Sequence, residues 1–394
     1  MTRSVEPVLS IRDLVVATRG GVERPILNGV SLDVMPGETV CVVGESGSGK
    51  SVTSLAVMGL LPKRALALRS GSIRLGGEEL TGASTARLRS LRATRMAMIF
   101  QEPMTALNPV LAVGPQIEEV LRAHSRLGAA ERRRRVLDMM EKVHLPDVER
   151  IYRSFPHQLS GGQRQRIMIA MALILEPDLL IADEPTTALD VTTQRQILAL
   201  IAELREKQNT AVLFITHDMG VVADIADRVL VMRAGAPVET GPVARVLEAP
   251  EAAYTRDLLR AVPALAPRPA RPETSPEIVL EAIELTKRYE RRRFLRPATA
   301  TEAAAEVSFR LKRGRTLGIV GESGCGKSML SLSVMRLVPR PGRVAQGRVM
   351  LEGRDLAALS PAEMRAVRGA EIAMIFQEPM TSLNPVHSIG DQLT

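Results

Sequence analysis

The chain has 394 residues, which is too long for one ordinary domain and predicts two or three. Its composition, 45% hydrophobic and 24% charged, is typical of globular proteins, and two cysteines are too few for a disulfide framework or a cysteine metal cluster. The formal charge of +8 permits a nucleic-acid or anionic-membrane partner, but aromatic residues make up only 2%, which argues against a surface that stacks bases.

The sequence shows no targeting or spanning segment. The N-terminal residues lack the apolar core of a secretory signal, and the longest apolar run, Ile167–Leu175, is shorter than the ~20 residues that a membrane-spanning helix needs. We therefore expect that the chain does not cross a membrane by itself.

The first informative element is a Gly-rich segment between a predicted strand, Thr39–Val43, and a helical pattern. G-x-x-x-x-G-K-S in that context is typical of a phosphate-binding loop, because its glycines let backbone N–H groups surround the phosphates at a helix N-terminus. We expect Lys50 to reach the β- and γ-phosphates and the Ser51 hydroxyl to bind Mg²⁺. The candidate nucleotide-binding residues of this loop are Gly44, Glu45, Ser46, Gly47, Ser48, Gly49, Lys50 and Ser51.

A second candidate anion site follows in the segment LSGGQRQR, which precedes an apolar helix. Ser160, Gly161, Gly162 and Gln163 place free N–H groups at a helix start, where anions bind. Because the same module already has a phosphate-binding loop, we interpret this segment as serving the nucleotide of a different module.

Two further short apolar runs, Leu179–Ala182 and Ala211–Ile215, predict strands buried on both faces. The first run is followed by Asp183, a candidate Mg²⁺ ligand through water, and by Glu184, a candidate base that orients and deprotonates the attacking water. The second leads to His217, a candidate ligand of the γ-phosphate. Taken singly, a carboxylate pair after a strand is also compatible with a turn or a helix cap. Alternation of such strands with helices indicates an α/β fold with a largely parallel core sheet.

The chain contains an internal repeat. GESGSGKS at Gly44 returns 277 residues later as GESGCGKS, and the segment around Gln101 returns around Gln377. We predict a first domain over residues 1–262, a Pro-rich linker over 263–277, and the front part of a second domain over 278–394. The apolar run Thr316–Val320 predicts a strand ahead of the second phosphate-binding loop. That loop comprises Gly321, Glu322, Ser323, Gly324, Cys325, Gly326, Lys327 and Ser328, with Ser328 the candidate Mg²⁺ ligand.

The order of these motifs resembles that of the nucleotide-binding domains of ABC transporters. The resemblance rests on both loops, Gln101, LSGGQ, LLIADE, His217 and TALD, which ends at Asp190. It implies a P-loop NTPase (ABC ATPase) fold with a parallel core sheet, an antiparallel β subdomain and a helical subdomain. It also implies ATP and Mg²⁺ as cofactors, nucleotide contacts from Asp190, and γ-phosphate and Mg²⁺ contacts from Gln101 and Gln377. Each nucleotide is then expected between one module's loop and the other module's LSGGQ.

The segment QEPMTALNP and the tail Ala252–Leu265 are similar to the branch that imports peptides and nickel, in its fused tandem form. This resemblance implies two membrane permease subunits and a solute-binding protein as partners, with the chain peripheral on the cytoplasmic face of the inner membrane. The solutes expected are short peptides, glutathione or nickel chelates. Two alternatives stay open, namely a tandem ABC ATPase that acts on ribosomes or nucleic acid, and a regulatory remnant that does not hydrolyse ATP. If the chain energises import, we expect no nucleic-acid partner.

Two departures from the family pattern matter. The aromatic residue that stacks on adenine is expected at Tyr289 in the second module, whereas the first module has Thr18 there. The second module also stops 17 residues after Gln377, before any LSGGQ, Asp-Glu pair or switch histidine. The sequence favours a piece of a longer protein, and the alternative is a homodimer through residues 1–262.

Overall fold

The computed structural model describes residues 6–20, 22–101, 106–187, 189–262, 269, 275–293, 296–322, 324–338, 342–376 and 383–393, with backbone alone for 288–293, 296–304 and 342–345. The chain forms two compact units, Met1–Ala266 and Pro267–Thr394. Most of the predicted linker lies outside the described residues. Within the described part, no helix combines the length and the apolar character needed to cross a bilayer.

The first unit contains ten strands, ten helices and a short 3-10 turn within its described residues. They are, in chain order, β1 (Leu9–Thr18), β2 (Pro25–Val34), β3 (Thr39–Val43), α1 (Lys50–Val57), β4 (Leu66–Leu75), β5 (Glu78–Glu79), α2 (Thr85–Leu91), β6 (Met96–Ile99), α3 (Val113–His124), α4 (Ala129–Lys142), α5 (Val148–Tyr152), the 3-10 turn (Pro156–Gln158), α6 (Gly161–Leu173), β7 (Leu179–Asp183), α7 (Val191–Gln208), β8 (Ala211–Ile215), α8 (Met219–Ile225), β9 (Arg228–Arg233), β10 (Ala236–Pro242), α9 (Val243–Glu248) and α10 (Ala253–Arg260).

The core of the first unit is a six-stranded sheet in the order β10-β9-β3-β8-β7-β6. Its strands are parallel except β10, which pairs antiparallel with β9. Every residue of β3, β7 and β8 is buried, which explains why the three read as continuous apolar runs in the sequence. The predicted strands and the largely parallel sheet are therefore confirmed. Parallel strands end at one edge, so this sheet gathers the residues that follow β3, β7 and β8.

Two further layers complete the first unit. An antiparallel sheet in the order β2-β1-β4-β5 shares a hydrophobic core with α1 and one face of the central sheet. Helices α3 to α6 contribute to a second core that includes Ile117, Val136 and Ile169 and lies on the other face. The antiparallel and helical subdomains expected from the family resemblance are thus present.

The second unit is built around an antiparallel sheet in the order β12-β11-β13-β14. Its described elements are β11 (Ile278–Arg293), β12 (Arg296–Lys312), α11 (Lys327–Val334), β13 (Gly342–Leu351), β14 (Arg354–Asp355), a 3-10 turn (Leu356–Ala358), α12 (Pro361–Val367) and α13 (Ile389–Leu393). Leu285, Leu330, Val349 and Met364 belong to its small buried core.

The strand predicted over Thr316–Val320 is wrong, because residues 315–322 form no strand. Val320 is 90% exposed, and Ile375 in the counterpart of β6 is 98% exposed. In the first unit, β3 pairs with β8 and β9, and β6 pairs with β7. Among the described residues of the second unit, no strand pairs with residues 315–322, so this apolar segment has no ladder to join.

Candidate functional site

The predicted phosphate-binding loop joins β3 to α1 and folds tightly around a lysine. Gly44, Gly47 and Gly49 have positive φ angles of 148°, 79° and 97°. A Cβ atom on Gly44 would lie 2.1 Å from the Met232 carbonyl oxygen, so only glycine fits there. Lys50 Nζ donates hydrogen bonds to the carbonyls of Gly44 and Glu45, both at 2.8 Å. The loop therefore holds a cation at the start of a helix, an arrangement suited to a phosphate group.

Lys50 is only 6% exposed, and burial lowers the pKa of its ammonium. The negative charges of Glu184 and Asp183 oppose that effect and raise the pKa. The carboxylates at the end of β7 thus lie close enough to the loop to raise the pKa of its lysine, as expected from parallel strands that end at one sheet edge.

Asp183 ends β7 and is 4% exposed. The Ser51 hydroxyl donates to Asp183 Oδ1 at 3.1 Å, and the Ser54 hydroxyl to Oδ2 at 3.4 Å. Burial raises the pKa of the Asp183 carboxyl, against the effect of these hydrogen bonds and of Lys50. A serine hydroxyl beside a carboxylate is a donor set that suits Mg²⁺ shared with phosphates.

The described residues contain no group of three or more His, Cys, Asp or Glu side chains that could hold a metal ion by themselves. Mg²⁺ in proteins prefers one or two protein ligands together with phosphates and water. Ser51 and Asp183 fit such a site. Sequence reasoning missed Ser54, although its position one helical turn after Ser51 was a usable signal.

Three side chains converge on Glu184. Gln101 Nε2 and Thr187 Oγ1 each donate to Glu184 Oε2 at 3.0 Å, and His217 Nδ1 lies 3.2 Å from Oε1. The Glu184 side chain is 13% exposed, and its backbone N–H donates to the Ile215 carbonyl at 2.9 Å. The three residues predicted to act in hydrolysis are thus brought together, and Thr187 is a partner that the sequence reasoning did not identify.

The LSGGQ segment begins α6. Ser160 Oγ accepts from the Gln163 N–H at 3.2 Å, and the Gln163 side chain accepts from the Ser160 N–H at 3.0 Å. This reciprocal pair fixes the helix start and the orientation of the N–H groups between them. A Cβ atom on Gly162 would lie 2.7 Å from Thr193 Cγ2, so the start of α6 packs closely against α7 at this position. Asp190 caps α7 by accepting from the Thr193 N–H at 2.9 Å.

The second loop repeats the first in its described residues. Gly321, Gly324 and Gly326 have positive φ angles of 157°, 84° and 99°. Lys327 Nζ donates to the carbonyls of Gly321 and Glu322, both at 2.7 Å. It also lies 3.5 Å from the sulfur of Cys325. Ser328 is exposed beside it. Among the predicted residues of this half, Ser323, Gln377 and the side chain of Tyr289 lie outside the described residues.

Comparison with known proteins places these observations in context. Residues 27–187 and 304–392 match a family model described as ABC transporter. The chain is 42% identical over 391 residues to a peptidoglycan transport ATP-binding protein, YejF, of Agrobacterium fabrum, covering 98% of this chain and 70% of that protein. It is 44% identical over 418 residues to a glutathione import ATP-binding protein, GsiA, of Escherichia coli O6:H1, covering 98% and 66%. The chain thus spans about two thirds of these relatives' length.

Two solved structures resemble the fold. One is the dimeric ATP-binding cassette MJ0796 bound to ADP and Pi, with a TM-score of 0.54 and 27% identity over 60% of this chain and 98% of that chain. The other is cbiO1 from Clostridium perfringens, described as part of the ABC transporter complex cbiONQ, with a TM-score of 0.53 and 25% identity over 62% and 92%.

Proposed function

The chain belongs to the ABC transporter family, and we propose that it binds and hydrolyses ATP to energise the import of short peptides or related solutes. The observation that carries the proposal is the convergence of Gln101, Thr187 and His217 on Glu184, beside a loop that holds Lys50 at a helix start. This arrangement combines a phosphate-binding cation with an oriented carboxylate base, which are the protein groups that nucleotide hydrolysis requires.

Lys50 and backbone N–H groups between Ser46 and Ser51 bind the β- and γ-phosphates of ATP in this proposal. The Ser51 hydroxyl and the Asp183 carboxylate hold Mg²⁺, which when bound neutralises charge on the phosphates. Burial and the neighbouring Glu184 carboxylate raise the pKa of Asp183, whereas Ser51, Ser54 and Lys50 lower it.

Glu184 is the general base of the proposed reaction. Its carboxylate accepts a proton from the attacking water, and the hydrogen bonds from Gln101 and Thr187 fix its orientation beforehand. His217 is mostly exposed and has a second ring nitrogen available to contact the γ-phosphate while Nδ1 faces Glu184. Ser160 and Gln163 contribute to a nucleotide site formed with another ABC module, in agreement with the fixed N–H groups at the start of α6.

The solute and the partners are inferred from the relatives. Proteins named for glutathione import and peptidoglycan transport support a solute that is a short peptide or is chemically related to one. We expect two membrane permease subunits and a solute-binding protein as partners, and a peripheral location on the cytoplasmic face of the inner membrane. A homodimer through residues 1–262 remains part of the proposal for how the complete modules pair.

Uptake measurements test the proposal directly. Cells that lack the chain are expected to lose uptake of labelled glutathione or of a labelled tripeptide, and the gene that encodes the chain, but not its Lys50→Ala variant, is expected to restore it. Unchanged uptake of both labelled solutes in cells that lack the chain would contradict the import assignment. Uptake that Lys50→Ala restores as well as the parent chain would contradict the role of ATP binding at the first loop.

A further inference from the structure

The C-terminal segment of the first unit, residues 243–261, reaches back to the phosphate-binding loop. The backbone N–H of Glu45 donates a hydrogen bond to the hydroxyl oxygen of Tyr254, in α10, at 3.2 Å. These residues are 209 positions apart in the sequence. We propose that Tyr254 is a positioning residue for ATP binding, which orients the peptide group that holds Lys50. The inference rests on the proposed ATPase function and assigns a part in it to a segment outside the nucleotide-binding motifs.

The peptide bond between Gly44 and Glu45 carries this inference. Its carbonyl oxygen accepts from Lys50 Nζ at 2.8 Å, while its N–H donates to Tyr254. Both groups belong to one planar unit, so they cannot rotate independently. A partner that fixes the N–H therefore also fixes the direction of the carbonyl. Tyr254 thereby acts on Lys50 through one rigid peptide group, without contacting the nucleotide.

Tyr254 is itself held from two sides. The guanidinium carbon of Arg233, the last residue of β9, lies 4.8 Å from the centroid of its ring, which is within the range of a cation–π contact. Tyr254 and the neighbouring Leu258 and Leu259 pack against the large core of the unit. The hydroxyl is thus presented to the loop by an anchored ring.

The start of α10 is anchored by a buried carboxylate. Glu239 of β10 is 8% exposed and accepts from the N–H groups of Glu251 at 2.9 Å and Ala252 at 3.1 Å. A second contact holds the phosphate-binding loop at Ser48, whose carbonyl accepts a hydrogen bond from the N–H of Gly235 at 3.1 Å. The continuous segment from β9 to α10 therefore holds the loop at two points, and ATP binding and docking of α10 are expected to support each other.

The second phosphate-binding loop indicates how strongly ATP binding at the first loop depends on Tyr254. Lys327 makes the equivalent two carbonyl contacts there, although no tyrosine donates to or accepts from that loop among the described residues. The loop sequence therefore favours this conformation on its own, and loss of one neutral hydrogen bond is expected to weaken binding roughly 2- to 10-fold rather than to abolish it.

The test compares Tyr254→Phe with Tyr152→Phe in the full chain carrying Lys327→Ala, so that binding reports the first loop. Tyr254→Phe removes only the hydroxyl and keeps the ring over which Arg233 lies. Tyr152→Phe is the matched control, because its hydroxyl contacts Glu118 in the helical subdomain. We expect Tyr254→Phe to raise the dissociation constant of a fluorescent ATP analogue roughly 2- to 10-fold, with a melting temperature within about 2 °C of the control's.

Hydrogen exchange supplies a second readout that a merely structural tyrosine would not change. ATP is expected to slow amide exchange over residues 251–260 in the parent chain, and less so in Tyr254→Phe. An unchanged dissociation constant in Tyr254→Phe, an equal rise in the Tyr152→Phe control, or absence of ATP-dependent protection would each overturn the inference. If the parent chain itself fails to bind the analogue, the proposed function fails as well, so the two failures are distinguishable.

Discussion

Gln101 and Glu184 are 83 positions apart in the sequence, yet the amide nitrogen of one lies 3.0 Å from a carboxylate oxygen of the other. Gln101 follows β6 and Glu184 follows β7, and these strands are neighbours in the parallel sheet. The residue proposed to sense the γ-phosphate is thus directly hydrogen-bonded to the proposed base. A change in the position of Gln101 is therefore expected to alter the orientation of Glu184 directly.

Replacing Glu184 with glutamine is expected to separate binding from hydrolysis. The amide keeps the size of the side chain but cannot accept a proton from water, so phosphate release should fall by roughly 10²- to 10⁴-fold while ATP binding is retained. Phosphate release and binding of a fluorescent ATP analogue measure the two quantities. Hydrolysis at the parent rate would remove Glu184 from the mechanism, and lack of hydrolysis in the parent chain itself would favour a regulatory remnant.

Asp183→Asn is expected to stabilise the nucleotide-free protein while weakening Mg²⁺-dependent ATP binding. Burial raises the pKa of Asp183 in the folded state, so the ionised side chain costs stability at neutral pH. The neutral amide removes that cost, and the melting temperature should rise by a few degrees. Titration of ATP binding against Mg²⁺ measures the functional loss.

The raised pKa of Asp183 also predicts how the melting temperature of the protein depends on pH. Because the folded-state pKa is raised above the ordinary value of 3.8, the stabilising contribution of protonated Asp183 is fully present below that value. It is lost as the pH rises through the higher folded-state pKa. The melting temperature of the parent chain, relative to that of Asp183→Asn, should therefore fall across this window as the pH increases. A difference that is constant with pH would argue that Asp183 does not titrate in this way.

Maleimide is expected to modify Cys325 and to spare Cys41. Cys325 is an exposed free thiol inside the second loop, 3.5 Å from Lys327 Nζ. Cys41 is buried in β3, and burial raises the pKa of its thiol. Mass spectrometry should find one label, which is absent from Cys325→Ala, and the label should block nucleotide binding to the second loop. Nucleotide binding that labelling leaves unchanged at this loop would show that Cys325 does not line a nucleotide site.

Residues 278–394 produced alone are expected to be poorly soluble. Val320 and Ile375 are almost fully exposed and Leu317 is 43% exposed, in segments whose counterparts in the first unit are strands. Exposed apolar segments without sheet partners promote association. Size-exclusion chromatography and thermal melting, with residues 1–262 as the control, measure this. A monodisperse product that melts cooperatively would contradict the prediction.

Much of the site was predictable because it is encoded locally or at strand ends. Asp183 ends a buried strand and Lys50, Glu184 and His217 come after one, and parallel strands bring such positions to one edge. The contacts that refine the site were not predictable in this way. Thr187 contacts Glu184 across a tight turn, and Tyr254 contacts the phosphate-binding loop from a docked helix. No periodic pattern in the sequence indicates the directions of these two side chains.

The two phosphate-binding loops show what the sequence by itself determined. Their glycines adopt the same positive φ angles and their lysines contact the same two carbonyls in both units. Glycine's freedom at positive φ and the short reach from the lysine to its own loop act within eight residues, so no distant partner is needed.

The segments that precede these loops show what only the tertiary structure decided. Thr39–Val43 is a fully buried strand, whereas Thr316–Val320, a run of the same apolar type, forms none. A strand satisfies its backbone N–H and C=O groups on neighbouring strands, which β8 and β9 provide for Thr39–Val43 and no described strand provides for Thr316–Val320. The loop conformation is therefore a local property of its residues, while the strand beneath it depends on partners from distant parts of the chain.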